Sequence, residues 1–213
     1  MNFELGVLFA FGAMLCWGFG DFFIQRCTRK IGNVESLAFI GLFGSIFLIP
    51  FIVKDFSLLF SASNLLLLLF LGVLTFFVAL TDFEALKEGK LSVIDVILEV
   101  ELPVTIVLGI IFFKETLSVF QLVFIALIFI SILFMAMKST KHFRIERGVF
   151  IALIAALGMG LINFFTALSS KTISPLMAVW FPWLVFSIFS FAYILKHEGL
   201  PKLFRNGLKH KKI

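Results

Sequence analysis

Seven runs of roughly 18–23 predominantly apolar residues follow one another along a chain of 213 residues. At 1.5 Å per residue, each is long enough to cross a hydrocarbon core of about 30 Å as a helix. They fall at about 5–24, 36–53, 65–83, 91–113, 119–137, 148–168 and 174–195. A backbone in lipid must satisfy its own polar groups, so such runs are expected to be helical. Short loops carry the charges and helix breakers, among them RCTRKIGN at 26–33 and KEGK at 87–90. With 61% hydrophobic and only 15% charged residues, the chain has too little polar surface to coat a globule. The expected fold class is therefore an all-α integral membrane protein with seven transmembrane helices, multi-pass in the cell membrane. The first run has no Lys or Arg ahead of it and reads as a permanent span. Cys16 lies inside that run and Cys27 just beyond it, which gives no disulfide framework.

The basic residues sort by side. Loops after runs one, three, five and seven carry three, two, four and six Lys or Arg, whereas the other side has only Lys54, Lys114 and Lys171. The positive-inside rule then puts the N-terminus outside and the basic C-terminal tail in the cytoplasm. The net charge of +5 is thus read as a topology signal. It suits contact with anionic lipid and is not read as nucleic-acid binding.

Sliding the chain over itself by 142 residues aligns ELGVLFAFGAMLCWGFGDFFIQR, from Glu4, with ERGVFIALIAALGMGLINFFTAL, from Glu146. Identities include Gly6/Gly148, Ala13/Ala155, Gly18/Gly160, Phe22/Phe164 and the Ser45 and Ser187 tripeptides, 17 of 51 positions from Glu4 to Lys54. The offset contains five spans. An odd number turns the second unit upside down, the inverted-repeat plan of many secondary transporters. The first unit is expected at 1–140 and a partial second at 146–213, with two helices and a basic tail. A second unit of five would need three more helices, roughly 70–90 residues, so the chain reads as C-terminally incomplete.

CWGFGDFF at 16–23 and EVELPVTIVLGIIFFKETLSVFQLVFIALIFISILF at 99–134 resemble the drug/metabolite transporter superfamily, in its EamA-type branch. The matching residues in the second stretch are Glu101, Pro103, Glu115, Leu117, Ser118 and Gln121. The resemblance implies a ten-helix permease of two inverted five-helix units that moves small metabolites or drugs. This chain departs from it in having seven spans and a charge bias that puts the N-terminus outside.

ILEVELPVT, at 97–105, sets two carboxylates in hydrocarbon. If the fourth span starts at Leu91, Glu99 lies roughly 12 Å and Glu101 roughly 15 Å into the bilayer. A charge there costs at least about 2.5–3.5 kcal/mol on insertion scales unless a cavity, partner or proton relieves it. The two sit about 200° apart on a straight helix and cannot share one cavity. Pro103 offers a way out, because its missing N–H and its ring both act on the Glu99 carbonyl and favour a kink. Glu101 first and Glu99 second are thus candidates for a substrate and proton pathway, with Pro103 and with Thr105 one turn beyond Glu101. The alternative makes both structural acids held by neighbouring helices. Asp95, four residues before Glu99, shares its face.

Asp21 and its repeat partner Asn163 are candidates to line a central cavity, although the plainer reading leaves Asp21 at the membrane surface beside Arg26. Trp17 is a candidate to flank the substrate path, as its position in the resemblance suggests. Asp82, Glu84, Lys87 and Lys90 read as an interfacial charge cluster. Gly12, Cys16 and Gly20, and likewise Ala152, Ala156 and Gly160, have the spacing that lets helices approach closely in lipid.

His142, His197 and His210 lie in loops and form no metal constellation, and no cofactor motif is present. No nucleophile and base set suggests an enzyme. The last span holds no lysine for a retinal Schiff base. The expectation is a secondary transporter for a small molecule, working by alternating access with proton coupling as an extension. The alternative is a non-transporting membrane scaffold or a remnant of a transporter. Self-association into a homo-oligomer stays open.

Overall fold

The computed structural model describes residues 3–114, 117–138 and 147–197. Glu115, most of the loop after the fifth run and the basic tail from 198 lie outside the described residues, as do Glu146 and the His142 and His210 positions. The described chain is helical, with no strand among those residues. Its elements are α1 (Phe3–Ile31), α2 (Asn33–Ile52), a 3₁₀ helix (Val53–Phe60), α3 (Ala62–Glu88), α4 (Leu91–Leu98), α5 (Glu101–Phe113), α6 (Val119–Lys138), α7 (Arg147–Thr172) and α8 (Pro175–His197).

Six segments are long and apolar enough to cross a membrane: Leu5–Ile31, Asn33–Phe60, Ala62–Glu88, Leu91–Phe113, Arg147–Thr172 and Pro175–His197. The expected count of seven crossings becomes six among the described residues. The fifth expected span is the helix α6. Its first turn is closed by Ser118 and Gln121, where the Gln121 side chain accepts from the Ser118 N–H at 2.8 Å and Ser118 Oγ accepts from the Gln121 N–H at 3.3 Å. This is a reciprocal capping box, so two residues that carried the family resemblance have a local structural task.

Glycines set the helix packing. α2 lies mainly against α8, while α3 lies against α7 and α8. A side chain at Gly41 or Gly44 of α2 would run into Phe186 or Trp183 of α8, and one at Gly72 of α3 into Val185. α7 beds into the groove between α3 and the α4–α5 pair, through buried Gly148, Ala152, Ala155, Ala156 and Gly160. Close approach of small residues maximises van der Waals contact where lipid offers no hydrophobic driving force.

Two hydrogen bonds cross the α2–α8 interface. Trp180 Nε1 donates to the Ser45 carbonyl at 3.0 Å, and Ser187 Oγ donates to the Ala38 carbonyl at 3.2 Å. A shift of 142 residues exchanges Ala38 with Trp180 and Ser45 with Ser187, and so turns each residue pair into the other, with both donors on α8. Ile52 and Ile194, also 142 apart, are both buried.

The small-residue stripe on α1 does not pack. Nothing lies within 4 Å of where a Cβ would sit on Gly12, Gly18 or Gly20. Helix α1 stands at the edge of the bundle and joins it through its C-terminal third, where Gln25 and Thr28 are buried. There Gln25 Nε2 donates to the Leu86 carbonyl at 2.7 Å, and Arg29 donates to the Gly89 carbonyl at 2.7 Å. Both tie α1 to the end of α3.

Candidate functional site

The fourth span is broken in mid-membrane. Residues Glu99 and Val100 separate α4 from α5, and Pro103 sits in the first turn of α5. Proline is tolerated there because first-turn N–H groups lack intrahelical partners. The Glu99 carbonyl that Pro103 cannot serve accepts from the Leu102 N–H at 3.1 Å, and the Ile97 carbonyl accepts from Val100 at 3.1 Å. The kink expected from the sequence is a two-residue turn of tightened hydrogen bonds. It does not leave the Glu99 carbonyl free, because the chain closes a shorter ring around it.

The break sends the two glutamates different ways. Glu99 is exposed, whereas Glu101 is half-buried and accepts a hydrogen bond from the Asn163 side chain on α7. Thr105 Oγ1, one turn on, donates to the Glu101 carbonyl at 2.9 Å and reaches the Gly160 carbonyl at 3.4 Å. A side chain at Gly160 would meet Val104 at 2.5 Å and the Glu101 carbonyl at 3.1 Å. The glycine therefore lets α7 approach α5 closely at the level of Glu101.

Five carboxylates gather here from four helices. Asp82 of α3 lies within electrostatic reach of Asp21 on α1, Asp95 on α4 and Glu101 on α5. Glu99 is within reach of Asp21, Asp95 and Glu101. None of the five forms an ion pair among the described residues; the pair present there, Lys87 with Glu84 at 3.5 Å, lies at the end of α3. Asp82 is only 6% exposed, and its Oδ1 has no hydrogen-bond partner. The Oδ1 of Asp95 is likewise buried and unpartnered.

Asp82 is the residue that sequence reasoning misplaced. Its apolar run ends at Phe83, which suggested the membrane surface, but α3 continues to Glu88 and sets Asp82 about 9 Å inside its end. The signal was the acid's own position one residue before the end of the run. Asp21, read both as a cavity candidate and as a surface residue beside Arg26, is half-buried within electrostatic reach of Asp82 and Glu99, while Arg26 lies over the Phe22 ring at 5.5 Å from its centroid. Glu84, bound by Asn33 Nδ2 at 2.6 Å and by Lys87, lies one turn before the end of α3. Trp17 is not brought to the site. It is 75% exposed on the free length of α1.

Beyond Thr105 an apolar cavity of about 180 Å³ opens between α5 and α7. It is lined by Thr105, Gly109, Phe113, Phe164, Ala167 and Lys171, among others. Lys171 Nζ stands 3.9 Å from the centre of the Phe113 ring. The cavity's lining starts at Thr105, one helical turn beyond Glu101, and the five acids lie outside it.

The model of the EamA-like transporter family matches residues 4–137, well over half of the chain, from the first turn of α1 to the last turn of α6. The chain belongs to the EamA-like transporter family. No curated protein and no solved structure matches it. As a member it is a multi-pass integral protein of the cell membrane with a transporter-type role, and the family is one of transporters, not of enzymes. The broken fourth span lies within the matched residues, and its hydrogen-bond partner Asn163 lies beyond them.

Proposed function

We propose that this EamA-family protein is a secondary transporter that moves small metabolites or drugs by alternating access between two inverted units, coupled to protons at the carboxylate cluster. The observation that carries this is the meeting of Asp21, Asp82, Asp95 and Glu101 within the bundle, with exposed Glu99 beside them, without an ion pair among the described residues. Carboxylates at such depth mark ion pathways and proton relays in membrane proteins, since only function repays their cost. A proton or a cationic ligand relieves the mutual repulsion, and exchanging one for the other is the elementary act of coupled transport. Glu101 is placed for that exchange. Its carboxylate contacts Asn163 of the second unit, so a change in its charge acts on the junction of the two units.

The exchange of the Trp180–Ser45 and Ser187–Ala38 residue pairs under the 142-residue shift supports an inverted two-fold axis between α2 and α8. Rocking about such an axis keeps the same contacts in both states and opens the site to each side in turn. The small-molecule substrate and the lipid bilayer are the partners of this mechanism.

The test is uptake by proteoliposomes from a mixture of amino acids, nucleosides, sugars and amines, read by mass spectrometry with and without an imposed pH gradient. Saturable uptake that responds to the gradient is expected. The scaffold alternative draws on the bare Gly12 and Gly20 face of α1 and predicts no flux for any of them.

A further inference from the structure

Asp82 is the buried acid of the described bundle, and proton exchange at Glu101 leaves it without a task. Its Oδ1 is sealed from solvent and accepts no hydrogen bond, and the same holds for Asp95 Oδ1. Buried carboxylate oxygens are ordinarily paired, so two unpartnered ones within electrostatic reach of each other ask for a donor from outside the chain. The helices around them supply acids. Asp21 comes from α1, Asp95 from α4 and Glu101 from α5.

Geometry narrows the donor. Among the described residues, no three His, Cys, Asp or Glu side chains converge closely enough to hold one metal ion. A bare ion needs several oxygens at roughly 2.0–2.6 Å. A primary ammonium instead directs three N–H donors outwards, each reaching an acceptor about 2.7–2.9 Å away, and so bridges acids that stand further apart. The apolar cavity between α5 and α7 starts at Thr105, about 6 Å along the helix from Glu101. Acids at one end and the Phe113 and Phe164 rings at the other match a molecule with a charged head and an apolar body.

We propose that Asp82 and Asp95, with Glu101 beside them, bind the ammonium head of a small organic amine whose apolar part lies in the cavity between α5 and α7. The assignment rests on the transport reading and names its substrate class.

The probe is phenethylamine, which is protonated at neutral pH. Its controls are 2-phenylethanol, of the same skeleton with a neutral hydroxyl, and the anion phenylacetate. Equilibrium dialysis of the full chain in detergent micelles should show saturable amine binding at least roughly tenfold tighter than either control. Asp82→Asn should weaken amine binding by at least roughly tenfold and leave the alcohol unaffected. Where Asp82→Asn does not elute as a folded protein, Asp95→Asn is the second variant, with a smaller loss in the same direction. Equal affinity for the amine and the alcohol, or undiminished amine binding in a folded variant, overturns the proposal. Flux keeps the two ideas apart. Charge-selective amine binding with no uptake of any metabolite would leave the site standing and remove the transport reading. Saturable uptake of a neutral or anionic metabolite, with no amine binding, would keep transport and overturn the amine site.

Discussion

Asn163 of α7 donates a hydrogen bond to the Glu101 carboxylate at the broken centre of the fourth span. The bond joins α5 to α7, where Thr105 Oγ1 also reaches the Gly160 carbonyl. Asn163→Ala should lower stability in detergent by about 1–3 kcal/mol, because it strips a buried acceptor of its donor. Uptake should fall with it. In a double-mutant cycle, Glu101→Ala with Asn163→Ala should cost clearly less than the two single changes summed. Strict additivity in thermal unfolding would mean that the two side chains do not act as a pair.

Glycine substitutions should divide by location. At Gly160 a Cβ meets Val104 at 2.5 Å, so Gly160→Val should force α7 from α5 and cost roughly 1–3 kcal/mol or more, with loss of uptake. At Gly12 nothing stands within 4 Å. Gly12→Ala should therefore be neutral or stabilising by about 0.5–1 kcal/mol through helix propensity. Thermal unfolding of both variants in one detergent checks the contrast, and a Gly12→Ala protein as damaged as Gly160→Val would contradict it.

Pro103→Ala should separate stability from function. The Glu99 carbonyl already has the Leu102 N–H as its donor, so restoring an N–H at 103 should change stability by less than about 1 kcal/mol. It should loosen the break between α4 and α5 while the Glu101–Asn163 bond holds, and uptake should drop. Unfolding and uptake measured on the same preparation decide this; a folded variant with normal uptake would show that the break is dispensable.

Removing the Ser187 hydroxyl tests the α2–α8 axis. Ser187→Ala loses the bond to the Ala38 carbonyl and should cost about 0.5–1.5 kcal/mol. Trp180→Phe loses the equivalent bond to Ser45 and some buried area, so its cost should be somewhat larger. Denaturant unfolding that finds no effect for Ser187→Ala would leave that bond without energetic weight.

Much of this architecture was readable from residue order. Apolar length alone placed the helices, because a chain in lipid has few other ways to satisfy its backbone. Pro103 announced the break between α4 and α5, and the 142-residue offset paired Asp21 with Asn163. Other features are tertiary and leave little trace in local pattern. The burial of Asp82 depends on α3 running beyond its apolar stretch and on the helices that close around it. The turn at Glu99 and Val100 resolves by hydrogen bonds that no propensity scale contains. Trp17 looked like a flank of the substrate path and the Gly12–Gly20 stripe like a packing face, yet α1 touches the bundle mainly through Gln25, Thr28 and Arg29. Which end of a helix docks is settled by its neighbours.

The central claim is that Glu101 exchanges a proton in coupled transport. The direct measurement is gradient-driven uptake by proteoliposomes holding wild-type protein or Glu101→Gln, with folding of each checked by size-exclusion chromatography. An amide at this position can still bond to Asn163 but cannot release a proton at any working pH. The account predicts a folded variant in which an imposed pH gradient no longer drives accumulation. Accumulation by Glu101→Gln that follows the gradient as the wild type does would contradict it.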